Sequence, residues 1–161
     1  MKRWSNGRQT RSAAPATLNT INMPTISKIF IDTNVFVAIK DDKDSTHDRA
    51  ILLLKTLKSK KVRFFTSSDV IGESITVISK KLGKLAAIEF LNHANNYAKE
   101  IFIDKFLHKE AKDFFKRVKS KKISFIDCSS VVAMKRNKIK AIFSFDRDFK
   151  QLGVILAASA F

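Results

Sequence analysis

The chain has 161 residues, is 45% hydrophobic, and carries 31 Lys and Arg against 15 Asp and Glu, a formal charge of +16. That length fits one domain with a real core, and no apolar run approaches the roughly 18 residues that cross a bilayer, so no membrane is expected among its partners. A single cysteine, Cys128, excludes an internal disulfide and any multi-cysteine zinc site, and suits a reducing, cytoplasmic setting.

Residues 1–22 stand apart. They hold Lys2, Arg3, Arg8 and Arg11, no acid and few large apolar groups, a composition that cannot bury enough surface to fold alone. Residues 1–25 are therefore expected to be a flexible basic extension and residues 26–161 the folded domain. Met23 is a candidate alternative start, and an apolar signal core is missing. Subtracting the four basic residues still leaves +12, so the positive charge belongs to the domain.

From Lys28 the pattern alternates. Ile29-Phe30-Ile31 is a short apolar run that stops at Asp32, as a buried parallel strand would. Thr33–Ile39 predicts a short helix. Ser45 or Thr46 can cap a longer one with the stripe Ala50, Leu53, Leu54 and Leu57. Val62–Phe65 predicts a second strand. Ser67 or Ser68 caps the next helix, whose stripe Ile71, Ile75, Ile78 and Leu82 stops at Gly83. Leu85–Ala98 is helical, Ile101–Ile103 a third strand, and Leu107–Val118 a helix with Ala111, Phe114, Phe115 and Val118 on one face. Asp127 falls early in another helix running to Met134. Ala141–Ser144 and Val154–Leu156 close the series as strands. Strands joined by helical crossovers imply a three-layer α/β/α sandwich with a mostly parallel central sheet. The chain's glycines, Gly7, Gly72, Gly83 and Gly153, cannot form a GxGxxG or GxxxxGK[ST] loop, which excludes dinucleotide-binding and P-loop NTPase sites.

Open parallel sheets bind ligands outside the carboxyl ends of their strands. Asp32 and Asp146 follow predicted strands, Asp127 follows Ile123–Ile126 at a helix start, and Glu73 lies early in the helix after the second strand. Singly, each has a plain structural use: Asp32 and Asp127 as caps, Asp146 in a turn, Glu73 in an ion pair with Lys80 or Lys81. Together on one edge they would repel one another unless a cation sat among them. An oxygen-only set without His or Cys suits a hard ion, Mg²⁺ or Mn²⁺. Such an ion in a basic protein points to phosphodiester hydrolysis, because it can lower the pKa of a bound water and stabilise the leaving oxygen. The excess of Lys and Arg would hold the nucleic-acid backbone. His47, His93 and His108 are scattered and form no nucleophile arrangement. Asp41, Asp42, Asp44 and Asp48 read as solvated loop and first-turn charges.

Four segments in order, Ile29–Phe36, Thr66–Glu73, Ser124–Cys128 and Phe143–Phe149, resemble the acidic motifs of the PIN-domain nucleases, including the toxins of VapBC-type toxin–antitoxin pairs. The resemblance covers about Lys28 to Leu156. It implies that Asp32, Glu73, Asp127 and Asp146 bind the metal or activate water, with Asp148 an alternative or auxiliary ligand. It also implies that Thr33 or Asn34 orders the first turn and that Ser144 bonds a ligand carboxylate. The activity the resemblance implies is that of a Mg²⁺- or Mn²⁺-dependent endoribonuclease, the toxin half of a type II toxin–antitoxin module. The expected partners are RNA, an antitoxin protein and a second copy of the chain. The alternatives are a PIN ribonuclease of RNA processing without antitoxin, and a non-catalytic RNA-binding protein. Cys128-Ser129-Ser130 is more polar than many relatives at that place, a departure that leaves the acids untouched.

Overall fold

The computed structural model describes residues 26–161; the expected basic extension and Met23 lie outside the described residues. Five strands form one sheet in the order β3-β2-β1-β4-β5: β1 Lys28–Ile31, β2 Arg63–Ser67, β3 Lys99–Ile101, β4 Ala141–Phe143 and β5 Ile155–Leu156. All four pairings are parallel, so the sheet is wholly rather than mostly parallel. Ile29, Phe30 and Ile31 on β1, and Ala141, Ile142 and Phe143 on β4, are almost fully buried. Continuous apolar strands of this kind are what a sheet covered on both faces requires.

The helices are α1 Thr33–Lys40, α2 His47–Ser59, α3 Ser68–Leu82, α4 Lys84–Tyr97, α5 Lys105–Arg117, α6 Phe125–Arg136 and the short α7 Ala157–Ala160. Helix α3 packs on α1 and α4, and α5 packs on α6. Phe36 of α1 meets Phe90 and Tyr97 of α4 at ring-centroid distances of 5.3 and 6.3 Å. A buried Phe in such a cluster contributes roughly 2–3 kcal/mol by removing its surface from water.

Local chemistry sets the boundaries. Ser67 caps α3 by accepting a bond from the Val70 N–H, as expected. Gly83 ends α3 at φ +92°, a conformation other residues rarely adopt, and the chain turns there directly into α4. Three expectations shift. The third strand lies at Lys99–Ile101 rather than Ile101–Ile103, because its register on β2 pairs Phe65 with Lys99 and Ser67 with Ile101. Helix α5 begins two residues earlier than expected, since Asp104 accepts bonds from the Phe106 and Leu107 N–H groups. Helix α2 takes no side-chain cap from Thr46; instead Asp44 accepts bonds from the Thr46 N–H and hydroxyl.

Candidate active site

The register places the site. Ile31 pairs with Phe143, and the Asp32 N–H bonds the Phe143 carbonyl at 3.1 Å, so β1 and β4 end side by side. Asp32 leaves the sheet there and caps α1, accepting the Thr33 N–H at 2.8 Å. Its other oxygen, Oδ2, accepts the Asn34 amide at 2.7 Å and the Ser144 hydroxyl at 2.7 Å. The carboxyl group is 6% exposed. Burial pushes it up to about 7, opposed by the Ser144 and Thr33 bonds and assisted by the neighbouring charges of Asp127 and Glu73. Buried beside other acids, Asp32 is held ionised only at a penalty.

Glu73 lies in the second turn of α3, half-buried, and its Oε2 accepts the Thr33 hydroxyl at 2.5 Å. Thr33 therefore joins the first and second acidic motifs. Asp127 is the third residue of α6. In a capping box with Ser124 it accepts the Ser124 N–H at 2.7 Å, while its own N–H bonds the Ser124 hydroxyl at 3.0 Å. Its side chain is raised above the usual carboxylate range, chiefly by burial, with the charges of Asp146 and Asp148 adding and the Ser124 bonds opposing. Helix α6 starts at Phe125, so Asp127 stands in its first turn, and Ile123–Ile126 is the approach to the helix and its first residues.

Asp146 follows β4 and caps a 3₁₀ turn, Arg147–Leu152, by accepting the Asp148 N–H at 2.8 Å. The Ser144 hydroxyl accepts the Asp146 N–H at 3.0 Å and the Asn34 amide at 2.9 Å, while the Phe145 N–H bonds the Asn34 carbonyl oxygen at 3.2 Å. Asn34 and Ser144 thus lock the two strand ends together around Asp32. Asp148 is engaged by the Gln151 amide at 2.6 Å and does not line the cleft that the other acids share.

That cleft, of about 410 Å³, is bordered by Asp32, Glu73, Asp127 and Asp146 together with Asp44 and Lys81. The sequence motifs therefore converge, all but Asp148. Among the described residues, no three His, Cys, Asp or Glu side chains stand close enough to hold one ion as they are. Each acid is instead tethered by hydroxyl, amide or N–H donors on one side, while Glu73 Oε1, Asp127 Oδ1 and Asp146 Oδ2 take no protein donor among the described residues. Oxygen donors with free lone pairs around a buried carboxyl fit a hard divalent cation.

Two acids read from sequence as solvated are not. Asp41 is 7% exposed, and Lys81 bridges it to Asp44 at 3.1 and 3.2 Å. The Thr46 bonds lead in holding Asp44 below the usual carboxylate range. Lys81 comes from α3, far along the chain from both acids, so no local spacing signals these pairs. Asp69 was also missed; it accepts the Ser129 hydroxyl at 2.7 Å and fastens α3 to α6, which gives the polar residue after Cys128 a purpose. Cys128 itself is a buried core thiol.

The parallel sheet gathers four acids at its carboxyl edge, and the PIN-domain family model matches residues 29–155. The chain belongs to the PIN-domain family. Within it, the chain is similar to the 23S rRNA-specific endonuclease VapC20 of Mycobacterium tuberculosis, with 27% identity over 128 residues, covering 79% of this chain and 95% of that one. The crystal structure of that VapC20, described as a sarcin–ricin-loop-cleaving toxin, matches with a TM-score of 0.71 and 26% identity, covering 79% of this chain and 96% of that one. VapBC2 from Rickettsia felis, solved on a promoter DNA fragment, matches with a TM-score of 0.59 at 16% identity, covering 80% and 96%, a likeness of fold.

Proposed function

We propose that the protein is a divalent-metal-dependent endoribonuclease and the toxin half of a toxin–antitoxin pair. The observation that carries this reading is the buried Asp32 carboxyl, raised to about 7 and facing Glu73 and Asp127 in one cleft of a chain with formal charge +16. The activity named for VapC20, 23S rRNA cleavage, supports RNA as substrate.

Asp32, Glu73, Asp127 and Asp146 would hold Mg²⁺ or Mn²⁺, which when bound supplies Lewis acidity and a water of lowered pKa. Thr33 fixes Glu73, and Ser124 fixes Asp127, so neither carboxylate needs to be ordered when substrate arrives. Ser144 and Asn34 hold Asp32 in one rotamer by donating to Oδ2. Asp148, bonded to Gln151 and outside the cleft, is not a ligand in this scheme; its N–H steadies the turn that carries Asp146. A partner antitoxin and a second copy of the chain belong to the same reading. Leu85, Ile88 and Leu91 of α4, exposed at 84%, 42% and 52%, support an apolar protein contact.

The test is incubation of purified protein with ribosomal RNA in Mg²⁺ or Mn²⁺, with a parallel arm in EDTA. Discrete fragments in metal and intact RNA in EDTA are expected. Binding in both arms with cleavage in neither would replace the enzyme by an RNA-binding protein.

A further inference from the structure

Five acids line the cleft, yet the substrate proposed for it is a polyanion. Some cation has to seat the phosphates there. Lys81 borders the cleft but is already occupied by Asp41 and Asp44. Phe145 also borders it, between Ser144 and Asp146, and its N–H is fixed by Asn34. The Arg49 guanidinium lies over the Phe145 ring, 5.2 Å from its centroid. Arg49 is exposed and has no carboxylate partner among the described residues. Its helix is anchored near that point, since His47 Nδ1 lies 2.7 Å from the Ala38 carbonyl oxygen at the end of α1.

A planar cation parked on an aromatic face keeps its orientation while its N–H donors remain available. Bidentate donation to phosphate is the task for which that geometry is suited.

We infer that Arg49, held on the Phe145 ring, is the phosphate-positioning residue of the cleft and seats the RNA backbone beside the carboxylates. This rests on the proposed ribonuclease reading. Arg49 touches backbone phosphate only; it sets where the strand lies and carries no sequence preference.

The probe is a fluorescein-labelled RNA hairpin of the 23S sarcin–ricin loop, bound in EDTA by the full chain and, separately, offered for cleavage in Mn²⁺. Arg49→Ala should weaken binding roughly tenfold and make the slope of log K against log[salt] shallower by about one. Cleavage should lose mostly in KM. Arg49→Lys should keep the salt slope but cleave more slowly, because a point charge does not hold the phosphate bidentately. Lys60→Ala removes the same charge at the opposite edge of the sheet, before β2, and should leave slope and cleavage near wild type. Wild-type slope and cleavage in Arg49→Ala, with wild type active, would overturn the role of Arg49 alone. A wild type that neither binds nor cuts any RNA would overturn the ribonuclease reading and this inference with it. Slope changes of equal size in Arg49→Ala and Lys60→Ala would assign the effect to net charge and also overturn it.

Discussion

Asp32 concentrates the chemistry of the cleft in one residue. Its carboxyl is raised to about 7 in the folded protein against 3.8 for the free group. A raised carboxyl favours the folded state in full only below the unfolded pKa, and that contribution is lost as pH rises through the folded one. Metal-free protein should therefore be progressively penalised between about pH 4 and pH 7. Asp32→Asn removes the charge, so melting curves should show the variant gaining on wild type as pH rises across that window, while cleavage disappears. A constant difference in Tm from pH 4 to pH 8 would contradict the burial argument.

Ser144 offers a finer test. Its hydroxyl donates to Asp32 and accepts from Asn34 and the Asp146 N–H. Ser144→Ala takes away a bond that lowers the Asp32 pKa, so the acid limb of the pH–rate profile should move to higher pH. Cleavage should fall by roughly 10- to 100-fold, the usual effect of losing an outer partner of a metal ligand. An unshifted limb would mean that Asp32 does not govern activity.

Elements are held by devices visible in the sequence and by others that are not. Gly83 joins α3 to α4 at φ +92°, and a Cβ built there meets nothing within 4 Å. Gly83→Ala should thus destabilise through the backbone alone, by about 1–3 kcal/mol, measurable by urea denaturation; no change would show that the turn relaxes. Ser67 and Gly83 were legible because caps are local chemistry. So were Asp32 and Asp146, because apolar runs end at them. The start of α5 was not, since the stripe Ala111, Phe114, Phe115 and Val118 marks a face and leaves the first turn unmarked, where Asp104 acts. Strand β3 was misplaced because Phe102 and Ile103 look strand-like, whereas pairing with β2 is a tertiary fact: the Ile103 N–H goes to the Ser68 hydroxyl instead of the sheet. Asp41, Asp44 and Asp69 escaped for a related reason. Their partners, Lys81 and Ser129, are dozens of residues away, and sequence spacing carries no trace of such pairs.

For the molecule as a whole, the fold draws acids inward and leaves most cations outside. Helix α3 supplies Glu73 to one wall, α6 supplies Asp127 to another, and the β1–β4 seam fixes Asp32 between them. Repulsion among these groups is the physical basis of the proposal that a cation binds there. If so, Mn²⁺ should raise the Tm of wild-type protein by mass action, and Asp32→Asn should show little of that gain.

The most direct measurement is anomalous scattering from crystals of the protein soaked in Mn²⁺. The account predicts a manganese peak in the cleft, bounded by the carboxylates of Asp32 and Asp127. A soaked crystal with that cleft empty of manganese, or with manganese bound only elsewhere, would contradict it.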